Sequence, residues 1–120
     1  MVLNGQKICR YYEHIDINDI DWVMSLFSKD AIYYRADSVY EGYSAIDNFF
    51  RKFRQIRGCH SIDVIWSFDE KVICTGIFKG QGREGDSRSV RFSDFWLFNS
   101  SGLVTKRETF LALGHQYVKE

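Results

Sequence analysis

Asp94 is a carboxylate in an aromatic strand. In Ser89 to Phe98, alternate residues share a face, so Asp94 falls with Phe92, Trp96 and Phe98. A carboxylate among aromatic side chains is costly to bury unless it is paired, hydrogen-bonded or protonated. Asn99-Ser100-Ser101-Gly102 reads as a turn, and Leu103 to Leu113 as the strand that returns from it. A two-residue turn at Ser100-Ser101 sets Phe98 against Leu103, Trp96 against Thr105 and Asp94 against Arg107. Arg107 would then pair with the carboxylate across the strands. A slip of one residue brings Glu108 or Lys106 opposite instead. Such a pair is either the polar centre of an apolar pocket, suited to acid–base work, or an ion pair that only sets register.

Three other positions bear on the same chemistry. Tyr11 lies on the apolar stripe Ile8, Tyr11, Tyr12, Ile15 of an amphipathic helix and could aim a hydroxyl into a cavity, or be plain core. His60 opens the alternation His60, Ile62, Val64, Trp66, Phe68, either as a base or as a hydrogen-bonded core histidine. Arg35 follows Tyr33 and Tyr34 in a short strand, at a pocket rim or exposed at the strand end. Tyr33, Phe53, Phe92 and Trp96, with Arg35, are the expected substrate-binding residues. No Ser-His-Asp set, glycine-rich phosphate loop or metal-ligand cluster occurs, so neither a cofactor nor a metal is expected.

The elements that must position these residues follow from pattern. Asn18 or Asp19 caps a second helix with Ile20, Val23, Met24 and Phe27 on its inner face. Ala31 to Arg35 suits a strand. Ser44 with Asp47 opens a third helix, with Ile46, Phe49, Phe50, Phe53 and Ile56 inward and Gly58 at its end. Further strands are expected at His60–Phe68 and Lys71–Lys79, with a polar turn at Arg83 to Ser87 before Asp94's strand. Gly76, Gly80 and Gly82 suit a bend or bulge in a curved sheet. Helices followed by hairpins make an α+β domain, here one domain over residues 1–120.

Totals bound the rest. A chain of 120 residues buries roughly two-thirds of its unfolded surface and needs no staple. Aromatics reach 17%, more than a compact core requires, which points to a lined cavity or a subunit interface. Sixteen basic residues balance sixteen acidic ones, which argues against nucleic acid and anionic membrane partners. Arg51, Lys52, Arg54 and Arg57 form a local basic run, read as a solvated helix face. Three scattered cysteines and no apolar leader or span suggest a reduced, cytoplasmic protein. Phe95 and Leu97, on the face opposite Asp94, need cover from a second subunit, giving a homodimer packed sheet to sheet, or from the C-terminal tail.

Arg10-Tyr11, Asn18-Asp19-Ile20-Asp21, Ser25 to Ala31, Glu41 to Ile46, Arg91 to Phe98, Gly102-Leu103-Val104 and Arg107 together resemble the ketosteroid isomerase-like and SnoaL-like proteins, within the broad nuclear transport factor two-like superfamily. The resemblance implies three N-terminal helices on a curved antiparallel sheet, a cone enclosing an apolar pocket. It places Tyr11 at the tyrosine of the isomerase oxyanion hole and Asp94 at its protonated aspartic acid. The isomerase's aspartate base falls at or beside Arg35, and no carboxylate follows until Asp37, which argues against steroid isomerisation. Epoxide hydrolases of this fold use an aspartate–arginine–aspartate set that Asp94 with Arg107 resembles in part. Some cyclases use a carboxylate or histidine, parts that Asp94 and His60 would take. The function implied is a cofactor-independent isomerase, cyclase or hydrolase acting on a small apolar, oxygen-bearing substrate of polyketide or terpenoid type. The alternative is a non-catalytic module that binds a small ligand or a protein.

Overall fold

The computed structural model describes residues 3–54, 57–82 and 84–114. Helix α1 (Asn4–Asp16) and the short helix α2 (Ile20–Met24) lead into strands β1 (Phe27–Arg35) and β2 (Ser38–Glu41). Helix α3 (Tyr43–Asn48) runs on into a π-helical turn (Phe49–Phe53). Strands β3 (Arg57–Phe68), β4 (Lys71–Gln81), β5 (Ser87–Phe98) and β6 (Val104–Ala112) complete the chain. All six strands form one curved, unclosed sheet in the order β2-β1-β6-β5-β4-β3. Its neighbours are antiparallel except at β1–β6, which is parallel.

Helix α1 buries the predicted stripe of Ile8, Tyr11, Tyr12 and Ile15 against the concave face. Asp19, not Asn18, caps α2, its carboxylate accepting from the Trp22 amide. Asn18 takes a left-handed conformation, φ 61°, and this lets α2 turn away from α1. Phe27 belongs to β1 rather than to the helix face, and pairs with Val104. Strand β2 was not expected. It follows a two-residue turn at Ala36-Asp37, in which Ala36 has φ 51°.

Three departures from simple periodicity shape the cavity. First, α3 starts from Gly42, at φ 90°, with no side-chain cap, so Ser44 and Asp47 do not form the expected box. Its continuation closes with an Arg54 amide to Phe49 carbonyl bond of 2.8 Å, five residues apart. Gly58 is not a helix stop but a residue of β3, where a side chain would collide with the backbone of Lys79 and Gly80. Ile56 lies outside the described residues.

Second, β3 carries a bulge at Asp63: Ile62 pairs with Gly76, yet Val64 pairs with Thr75. The extra residue inverts the alternation. His60, Ile62 and Ile65 therefore face inward, while Val64, Trp66 and Phe68 are turned to the outer face and exposed. The expected five-residue apolar face is thus split between both sides of the sheet.

Third, β6 slips twice against β5. The Gly102 amide bonds to the Asn99 carbonyl, with Gly102 at φ 80°, and the Asn99 amide bonds to the Leu103 carbonyl. This is a longer turn than the expected two-residue hairpin and moves the register by one. A second irregularity follows, since Phe98 pairs with Val104 but Leu97 with Lys106. Two single-residue shifts restore the original side of the sheet. Asp94 faces Thr109 and Trp96 faces Arg107, so Arg107 lies diagonal to Asp94 rather than opposite it.

Candidate active site

The concave face and the helices enclose a cavity of about 680 Å³. Tyr11, Tyr33, Arg35, Phe53, His60, Phe92, Asp94 and Arg107 all reach its wall, so eight of the nine expected site residues meet there. Trp96 does not. It is 2% exposed and lies beneath Arg107, ring to guanidinium 4.4 Å. Phe53 is 61% exposed and stands at the mouth instead of packing inward.

Asp94 is fully buried at the centre of β5. Arg107 grips it with a fork, Nε to Oδ1 at 3.3 Å and Nη2 to Oδ2 at 2.9 Å. The Thr109 hydroxyl donates to Oδ1, and the Tyr12 hydroxyl donates to Oδ2. The proton positions follow by elimination, because a carboxylate can only accept. Tyr12 spends its proton on Asp94, so the Cys74 thiol donates to the Tyr12 oxygen, 3.0 Å away. Thr109 likewise spends its proton, so Tyr33 donates to the Thr109 oxygen at 3.2 Å. Every donor chain runs toward Asp94. The isomerase resemblance implied a donor here; in the structure Asp94 instead receives hydrogen bonds from Arg107, Thr109 and Tyr12.

Arg107 is 4% exposed and boxed by the rings of Tyr11, Tyr33 and Trp96, with its guanidinium carbon 4.4–4.6 Å from each centroid. Burial works against its charge, but Asp94 first and then the tyrosines outweigh this and hold its pKa well above the ordinary arginine value. Its remaining nitrogen, Nη1, donates to the Tyr11 oxygen at 2.5 Å. Among the described residues no second carboxylate reaches Arg107, so the aspartate–arginine–aspartate set is incomplete. Tyr11 accepts from Arg107, and its own O–H has no acceptor among the described residues. Burial raises the Tyr11 pKa, with Arg107 opposing, so the phenol keeps its proton. It is a hydrogen-bond donor on the cavity wall with nothing yet to donate to.

His60 is held by Asp16, the last residue of α1. Asp16 accepts from the His60 backbone amide at 2.9 Å and from ring Nδ1 at 2.6 Å. The carboxylate assigns the proton to Nδ1, which leaves Nε2 with its lone pair. Burial lowers the His60 pKa, and the Asp16 hydrogen bond and charge only partly offset this. The ring packs against Tyr12, Phe78 and Phe92, with centroids 5.2, 4.7 and 5.5 Å away. Sequence reasoning missed Asp16, Tyr12, Thr109, Cys74 and Arg54. Asp16 does sit one helical turn beyond Tyr12, but its contact with His60 depends on how α1 packs on the start of β3, which spacing does not show. Among the described residues no three His, Cys, Asp or Glu side chains converge as metal ligands. None of the described helices is long and apolar enough to cross a membrane.

A family model for the SnoaL-like domain matches residues 8–107. The chain belongs to the SnoaL-like family. No curated protein matches it in sequence. Among solved structures it is similar to a Pseudomonas putida protein provisionally named a polyketide cyclase: TM-score 0.85, 16% identity, 94% of each chain covered. An NTF2-like protein of unknown function from Burkholderia pseudomallei gives a TM-score of 0.83 at 19% identity, covering 93% of this chain and 92% of that one. TerC, co-crystallized with polyporic acid, gives 0.77 at 16% identity over 91% of each. Identities this low establish the shared SnoaL-like fold and leave the reaction to the site.

If Asp94 is the acceptor on which the network closes, Asp94→Asn leaves the buried Arg107 without its counter-charge. The expected loss is about 3 kcal/mol of unfolding free energy. Urea denaturation measures it, and an unchanged midpoint would show that the network is not what holds this part of the core.

Proposed function

We propose that this SnoaL-like protein is a cofactor-independent enzyme that moves a proton next to a carbonyl on a small, largely apolar substrate, giving isomerisation or cyclisation. One observation carries the reading. The cavity wall carries a neutral histidine with a free Nε2 and a tyrosine whose O–H has no acceptor among the described residues, a base and an oxygen-binding donor.

His60 Nε2 takes the proton from the carbon beside the carbonyl, while Asp16 holds the ring and balances the imidazolium that forms. Tyr11 donates to the carbonyl oxygen as negative charge develops there, and Arg107 behind it places a fixed positive charge on the same side. The resulting enolate either regains the proton from His60 at another carbon or attacks a second carbonyl within the same molecule. The first path isomerises and the second closes a ring. Asp94, expected from sequence to be the acid or base, becomes the residue that positions Arg107, Tyr12 and Thr109. The neighbour provisionally named a polyketide cyclase supports the substrate class, as does TerC with polyporic acid. Hydrolysis has less support, because among the described residues only one carboxylate meets Arg107.

We further propose that the outer face of the sheet joins two copies. Trp66, Phe95 and Phe110 are 51%, 41% and 53% exposed there. Trp66, Ile73 and Phe95 form one cross-strand row. The C-terminal tail, the other cover expected for Phe95 and Leu97, falls in 115–120, outside the described residues. Sedimentation should give a dimer that Phe95→Glu converts to monomer; a monomeric parent protein would end this proposal.

The catalytic reading is tested with 2-tetralone, an apolar enolisable ketone, by following exchange of its α-protons for deuterium by NMR. The protein should accelerate exchange, and His60→Gln should lose about 10²–10⁴-fold. The base is active when neutral, so the rate rises with pH through a pKa below the ordinary histidine value and then levels off. Asp16→Asn removes an interaction that holds this pKa up, so its rising limb should move lower still. Exchange unaffected by His60→Gln would leave the cavity as a binding module.

A further inference from the structure

The cavity wall holds three guanidinium groups that the proposed reaction does not use, Arg35, Arg54 and Arg88. Arg107 is paired with Asp94, and Arg88 on the same wall is paired with Asp86 at 2.5 Å. Arg35 and Arg54 also line the cavity, and among the described residues neither forms an ion pair. Both are half-buried. Arg54 has one neutral partner, the Asn18 side-chain oxygen at 3.2 Å. Arg35 lies over the ring of Phe49 at 5.3 Å.

The π-helical turn bears on the position of both. It begins at Phe49, beneath Arg35, and its closing bond ends on the Arg54 amide. A five-residue closure rotates Arg54 away from the basic run, whose member Arg51 remains outside on Asp21 and Asp47. Burial pushes the Arg54 pKa down, and the nearby Tyr11 and Asp16 oppose this only in part, with no carboxylate within ion-pair distance among the described residues. Each guanidinium, half-buried on the wall of one apolar chamber and without a carboxylate partner among the described residues, presents the fork of donors that an oxyanion takes.

We propose that the ligand of this cavity is an organic anion whose apolar body fills the chamber and whose carboxylate is held by Arg35 and Arg54. This rests on the cavity being the ligand site, as proposed above, and not on the chemistry of His60. It makes the substrate an apolar keto acid rather than a neutral ketone. The acid group anchors one end, and the reacting carbonyl reaches Tyr11.

Two fluorescent probes test it: 1-anilinonaphthalene-8-sulfonate and N-phenyl-1-naphthylamine, the same ring system with and without an oxyanion. The sulfonate should bind at least about tenfold tighter, as hydrogen bonds to a charged group require. Arg35→Gln with Arg54→Gln should remove that advantage, and added salt should weaken the sulfonate alone. Should the double variant not fold, Arg35→Gln alone gives the same readout with a partial loss. Equal binding of both probes would overturn the anion inference and leave the apolar cavity standing. A sulfonate preference that survives the substitutions would overturn it as well, by placing the oxyanion elsewhere, for instance on the outer sheet face. Failure of both probes to bind would overturn the inference and the ligand site together.

Discussion

A charged carboxylate buried in an aromatic core is the constraint around which this molecule is arranged. Asp94 is stabilised only if donors surround it, and the fold supplies them from three directions. Arg107 and Thr109 come from the adjacent strand and Tyr12 from the helix above. Each donor in turn needs its own partner, which draws in Cys74, Tyr33 and Tyr11. The network ties α1 to the middle of the sheet and fixes where the chamber floor lies. Breaking a buried pair of this kind is far more costly than never having built it, so the arrangement is rigid once formed.

That rigidity bears on function. The network orients Tyr11 by gripping its oxygen from behind, so its proton can go only toward the cavity. Asp16, the last residue of α1, does the same for His60. One helix thus carries both a chamber-facing donor, Tyr11, and the carboxylate that sets the tautomer of the opposing base. A base and an oxygen donor held on separate rigid elements around one cavity are what proton abstraction beside a carbonyl requires. The mouth is a different environment, made by the π-helical turn and lined by arginines.

Much of this was legible in the residues. The stripe of α1, the aromatic face of β5 and the pairing of Asp94 with Arg107 follow from periods of 3.6 and 2, and the chain's resemblance to SnoaL-like proteins matched the family found. What escaped were the places where one residue is inserted. Asp63 in β3 sends Trp66 and Phe68 outward, and the two shifts between β5 and β6 put Thr109 where Arg107 was expected. The pairing of Asp94 with Arg107 survived because two slips of one residue cancel in parity. Thr109 and Tyr12 were missed for opposite reasons. The first depends on register, and the second reads as ordinary core until its hydroxyl is seen against a carboxylate. The π-turn, likewise, cannot be told from a continued α-helix by spacing of phenylalanines.

The central claim is that His60 presents an unprotonated Nε2 to the cavity at neutral pH. Long-range proton–nitrogen correlation NMR on ¹⁵N-histidine-labelled protein observes this directly. The account predicts a protonated Nδ1 and a pyridine-type Nε2 for His60, persisting below the pH at which an ordinary histidine titrates. A protonated Nε2 at neutral pH, whether as the other tautomer or as imidazolium, would contradict it.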